Sequence, residues 1–157
     1  MLAELTKYGG LTAIVTTCLV ISWIDYHEHR IPNRLTGPLA AGTALWVLLL
    51  GAVTGELGSA AIAMVVGMAI AAGMFATSLA TNGIGMGDVK LAAPVAGTLA
   101  WLGRNASVTA IITIAAASLL ASAVAIARGQ GLRHQIPLAP IITIGLVAGV
   151  LTDGINQ

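Results

Sequence analysis

Charge is what this chain has least of. Only 8% of its 157 residues are Asp, Glu, Lys or Arg, where a soluble domain carries about 25%. A water-soluble fold is excluded on that ground. A chain this short has too much surface per volume to hide 57% hydrophobic residues from water, and its mean hydropathy is +0.94. The formal net charge is +1, with no basic run, which excludes nucleic acid as a partner. Cys18 is the single cysteine, so an internal disulfide and a cysteine metal site are both excluded. It lies in an apolar run and reads as a buried structural thiol. The N-terminus lacks the marks of a secretory signal. Met1 to Lys7 holds one lysine and one glutamate, and no A-x-A site follows. A retained span is expected there. No internal repeat and no soluble segment interrupts the chain, which reads as one membrane-embedded domain over residues 1–157.

What is present is a series of apolar runs divided by short polar breaks. They predict an all-α polytopic membrane protein with about six transmembrane helices, because backbone polar groups must be satisfied internally in lipid. A barrel would need period-2 alternation, which is absent. The expected spans are Gly9–Ile24, Gly37–Val53, Ser59–Ala80, Val89–Leu102, Ala106–Ala127 and Leu138–Leu151. The fourth and sixth are short, which points to a thinned bilayer or to helix ends buried in protein. The breaks "DYHEHRIPNRLTGP", "TNGIGMGD" and "RGQGLRHQIP" fall on one face and carry Arg30, Arg34, Lys90, Arg128 and Arg133. Only Lys7 and Arg104 fall on the other. The positive-inside rule then places the first set in the cytoplasm and both termini outside. Thr36 is expected to cap the second helix, with Pro38 in its first turn. Gly145 and Gly149 form a GxxxG suited to close helix packing.

Two acidic residues stand apart. Glu4, Glu28, Glu56 and Asp153 read as solvated charges of termini and breaks. Asp25 ends the first apolar run in "SWID", and Asp88 opens the fourth in "GMGDVK". Two crossings lie between them, so both sit at similar depth on the same face. Ionisable residues at membrane depth point to function by default. Either helix packing brings this pair together, or both are interfacial residues in separate loops. Two carboxyls a few ångströms apart do not both ionise readily and share one proton. The ionised one takes a proton from water and the protonated one donates to a carbonyl oxygen, the division of labour that peptide hydrolysis needs. Asp88, at a helix start, feels the positive end of the helix dipole, and Asp25, at a helix end, the negative. On that contrast Asp88 is the more acidic partner. Gly85 and Gly87 are either an ordinary turn or the gap through which an extended substrate backbone reaches the carboxyls.

These residues resemble a known family. "GMGDVKL", Gly85–Leu91, resembles the GxGD motif of membrane aspartic proteases in its prepilin-peptidase form, G-x-G-D-x-K. "DYHEHRIPNRLT", Asp25–Thr36, is similar to that family's other aspartate motif. "IPLAPIITIG", Ile136–Gly145, is similar to the proline-containing segment that opens its last span. The family is the type IV prepilin peptidases, with preflagellin peptidases as relatives, and the resemblance covers nearly the whole chain. It implies a six-span endopeptidase of the bacterial inner membrane with its active site at the cytoplasmic face. Its substrates would be prepilin-like proteins with a short basic leader ahead of an apolar helix. Carried over by motif, the catalytic pair is Asp25 and Asp88, and no cofactor is implied. Longer members carry a cytoplasmic insertion with paired cysteines and also N-methylate the new N-terminus. This sequence has neither, so the resemblance is to the short, peptidase-only form found with tight-adherence pili.

The other polar groups near the pair have open roles. Lys90 either compensates charge beside the carboxyls or snorkels to the interface. Arg30 is either a positive-inside anchor or a partner for Asp25 or Glu28. Asn33 reads as ordering the loop backbone. His27 and His29 in "HEH" are too thin a set for a metal site, so no metal is expected. Arg128, Arg133 and His134 share the face and are explained by topology. Two readings of other classes remain. A small proton-coupled transporter would need charges deep in its spans and often repeats. A non-catalytic subunit of a pilus or secretion complex would place no demand on the geometry of the two aspartates.

Overall fold

The computed structural model describes residues 2–28, 30–81, 85–128 and 137–155. His29, Arg133, His134 and Ile136, named above, lie outside them. Six helices follow in order: α1 (Leu2–Glu28), α2 (Asn33–Thr54), α3 (Leu57–Thr81), α4 (Met86–Leu102), α5 (Arg104–Ala127) and α6 (Leu138–Ile155). All but α4 are long and apolar enough to cross a membrane. The chain is an all-α polytopic membrane protein, as its composition requires. At 17 residues α4 is about 26 Å long, short of the roughly 30 Å hydrocarbon thickness.

Each expected span falls inside one helix. The start of α2 differs. It begins at Asn33 with Pro32 as N-cap (φ −72, ψ 124), and the N–H groups of Leu35 and Thr36 bond to the Pro32 carbonyl. The fixed φ of Pro32 and its extended ψ end the connection from α1 before a hydroxyl cap at Thr36 can form. Thr36 is therefore inside the helix and buried, and Pro38 sits in the second turn on an exposed face.

The helices pack as a four-membered ring with two additions. α1 touches α2 and α6, and both of those touch α4. Among the described residues α1 makes no backbone approach to α4, so these two face each other diagonally. α3 fills the corner between α2 and α4, and α5 the corner between α4 and α6. α1 contributes the stripe Leu11, Ile14, Cys18 and Ile21 at helical spacing, and α4 contributes Leu91, Val95 and Leu99. α3 and α5 pack through small residues instead. Ala60, Ala63, Ala106 and Ala110 are buried, while Ile62, Met68, Ile111 and Leu119 point outward. Large apolar groups outside and small ones at helix contacts are the pattern lipid favours. Gly145 and Gly149 do serve such a contact, since a Cβ at Gly149 would lie 2.8 Å from the Ala106 carbonyl of α5.

α1 and α6 run antiparallel. Lys7 near the start of α1 pairs with Asp153 near the end of α6 at 2.8 Å. At the opposite end of the bundle α1 finishes while α2, α4 and α6 begin. Arg30, Arg34, Lys90 and Arg128 lie at that end, and Lys7 and Arg104 at the other.

Candidate active site

Three helix starts and one helix end converge at the mouth of the ring. Helix starts present unpaired N–H groups and the positive end of the helix dipole, a surrounding suited to carboxylates. Asp25 on α1 and Asp88 on α4 lie there on helices that face each other diagonally, and a third acidic residue, Glu28, is exposed at the end of α1.

Asp25 lies in the last turn of α1 and continues its buried stripe, with only 6% of its surface exposed. Burial of a carboxylate needs a partner. The partner comes from α6, where the backbone N–H of Ala139 donates to Asp25 Oδ2 at 3.3 Å. The local sequence explains this start. Pro137 precedes the helix and Pro140 sits in its first turn, where a missing N–H costs nothing. Ala139 has a side chain small enough to be fully buried beneath the carboxylate. Asp25 lies at the negative end of α1 as expected, and it also sits on the positive end of α6, which reduces the contrast in helix ends between it and Asp88.

Asp88 occupies the third helical position of α4, after the N-cap Gly85. Its backbone N–H bonds to the Gly85 carbonyl at 3.1 Å, and its carboxylate accepts a hydrogen bond from the Gly85 backbone. This is the reciprocal half of a capping box, in which an acidic side chain reaches back to the N-cap amide. The side chain is half-buried, and burial, with the nearby Asp25 charge second, pushes its carboxyl up to about 6. No hydrogen bond joins the two carboxyls among the described residues.

The glycines have specific spatial roles. A Cβ at Gly85 would sit 3.0 Å from Asp88 Oδ2, in the path of the returning carboxylate. A Cβ at Gly87 would sit 2.6 Å from Cβ of Ile31, in the connection between α1 and α2. Gly85 has φ −67, so space rather than backbone freedom is what the position requires.

The remaining candidates spread around the rim. Lys90 Nζ donates to Asn33 Oδ1 at 2.8 Å, both exposed. Lys90 thus ties the start of α4 to the start of α2. Arg30 is exposed and makes no ion pair with a described residue. His27 bonds through Nδ1 to the Trp23 carbonyl at 2.8 Å and stacks on Trp23. Among the described residues no group of three or more His, Cys, Asp or Glu side chains converges. A cavity of about 190 Å³ lies at the far end of the bundle, against Glu4, Lys7, Glu56, Trp101 and Asp153, remote from both aspartates of the mouth.

Sequence reading missed two contributors, Ile31 and the Ala139 amide. A backbone donor has no residue signature, although the prolines around "PLAP" mark the helix start that supplies it.

Comparison with known proteins places the chain. The model of the type IV leader peptidase family matches residues 12–126. Two proteins called prepilin leader peptidase/N-methyltransferase, from Aeromonas hydrophila and Aeromonas salmonicida (strain A449), are each 29% identical over 157 residues. The alignments cover 96% of this chain and 52% of each relative, so the chain spans about half the length of the curated relatives it matches. No solved structure matches it.

Proposed function

The chain belongs to the type IV leader peptidase family, and from that premise we propose that it is a membrane aspartic endopeptidase removing the leader from prepilin-like substrates. The observation that carries the reading is that Asp25, in the last turn of α1, and Asp88, in the first turn of α4, lie at one end of the bundle. Two facing carboxyls share a proton, and that state suits both halves of peptide hydrolysis. The ionised carboxylate takes a proton from water as the water oxygen bonds to the scissile carbonyl carbon. The protonated carboxyl donates to the carbonyl oxygen. The tetrahedral intermediate then collapses as a carboxyl proton reaches the departing amine. No covalent enzyme intermediate is involved.

The apolar helix that follows the leader would lie in the bilayer against the bundle, which would bring the cut site beside Asp25 and Asp88 at the end of the helices. The distribution of Arg30, Arg34, Lys90 and Arg128 favours a cytoplasmic mouth, in the inner membrane of a bacterium.

The test is cleavage of a prepilin-like protein by the full chain in lipid nanodiscs. Asp25→Asn and Asp88→Asn are each expected to lower the rate by about 10²–10⁴-fold, the scale of a lost acid–base group. Near-wild-type cleavage by either variant sinks the two-aspartate mechanism.

A further inference from the structure

Asp25 is held by one hydrogen bond among the described residues, and its donor belongs to another helix. The useful orientation of its carboxylate therefore depends on how α6 is set against α1, in both depth and rotation. One turn deeper in the same interface lies a second polar contact. Ser22 Oγ and Thr143 Oγ1 are 2.7 Å apart, Ser22 donates to the Cys18 carbonyl at 2.8 Å, and Thr143 lies 3.3 Å from the same carbonyl. Both residues are buried.

The spacing makes this contact a register pin. Ser22 precedes Asp25 by three residues on α1, and Thr143 follows Ala139 by four on α6. Each pair shares one helix face, so in antiparallel helices the two contacts stack one above the other. The hydroxyl bridge fixes α6, and the Ala139 amide is carried with it to Asp25. The two hydroxyl protons are both used whichever group donates, so the network is closed within the core.

We propose that Ser22 and Thr143 are positioning residues for Asp25: their hydrogen bond sets α6 on α1 so that the Ala139 amide meets the carboxylate. The consequence for cleavage rests on the peptidase reading above, whereas the consequence for the amide does not.

Thr143→Val is a clean probe. Valine keeps the shape of threonine, and Ser22 retains the Cys18 carbonyl as acceptor, so no buried donor is stranded. The experiment compares the Ala139 backbone amide resonance in the isotope-labelled full chain in nanodiscs, with Asp25→Ala marking the position without the hydrogen bond. Thr143→Val is expected to move the resonance most of the way to that mark, and Thr143→Ser to leave it at the wild-type position. Lys7→Met, which breaks the Lys7–Asp153 pair at the far end of the same two helices, is expected to leave it there as well. In the cleavage assay Thr143→Val should lower kcat about tenfold with KM unchanged, because small misplacements of a reacting group cost up to about 10²-fold. Thr143→Ser should restore the rate.

An unmoved resonance in Thr143→Val overturns the proposal. So does an equal displacement in Lys7→Met, which would make the effect one of general loosening, and so does a displaced amide with an unchanged kcat. A wild-type chain that cleaves no prepilin-like substrate would count against the peptidase reading, and the resonance comparison would still decide the positioning role.

Discussion

Lys90 donates through Nζ to Asn33 Oδ1 at 2.8 Å, across 57 residues of sequence, and so links the second turn of α4 to the first residue of α2 beside the mouth. Asp88 precedes Lys90 by two residues, so the link bears on the helix start that carries it. Because both partners are exposed, the bond should contribute less than about 1 kcal/mol to stability. Its effect should appear in the reaction instead. Lys90→Met and Asn33→Ala are each expected to lower kcat/KM about fivefold, the rate equivalent of about 1 kcal/mol. The double variant should be no worse than either single one, since both remove the same bond. Losses that multiply in the double variant would show that the residues act separately.

Gly85→Ala and Gly87→Ala are expected to fail for different reasons. At Gly85 the new methyl group meets the Asp88 carboxylate itself, so cleavage should drop about tenfold or more through misplacement, with thermal stability nearly unchanged. At Gly87 it meets Ile31 in the α1–α2 connection, so overpacking should cost about 1–3 kcal/mol. Ile31→Ala should recover part of that loss when combined with Gly87→Ala and recover nothing when combined with Gly85→Ala. Equal rescue of both would refute the separate assignments.

The number of helices and their approximate limits were legible because lipid imposes a strong composition rule, and runs such as Ser59–Ala80 have no other economical reading. Helix ends were less legible. Pro32 rather than Thr36 begins α2, since a backbone rule on the residue before the helix preceded the preference for a hydroxyl cap. Asp25 and Asp88 were legible as a pair on one face from the count of crossings alone. How each is held was not, because the groups involved are the Ala139 amide, the Gly85 amide and the close approach of Ile31 to the bare Cα of Gly87. Such groups are products of packing and leave no mark in residue type.

Asp25→Asn and Asp25→Ala are expected to be equally inactive and unequally stable. The asparagine side chain keeps an oxygen that can accept from the Ala139 N–H, and its fold should match the wild type in thermal unfolding. Alanine leaves that buried N–H without a partner, a cost of about 1–3 kcal/mol. The unfolding temperature of Asp25→Ala should therefore fall below that of Asp25→Asn in the same lipid. Identical temperatures would mean that water or another group takes over the amide, and that the bond contributes little to holding α6.

The peripheral helices permit a contrast that bears on the fold alone. Gly149 on α6 lies against Leu99 of α4 and the Ala106 carbonyl of α5, so an added Cβ meets backbone that cannot swing aside. Gly73 on α3 has nothing within 4 Å of the same position. Gly149→Ala should force α5 and α6 apart at a cost of about 1–3 kcal/mol. Gly73→Ala should be neutral or stabilising by up to about 1 kcal/mol, the ordinary preference for alanine over glycine in a helix. Both are read as shifts in thermal unfolding of the full chain in one lipid composition. A loss at Gly73 equal to that at Gly149 would mean that α3 has a partner on its outer face, and that the outward face of this helix is not simply turned to lipid.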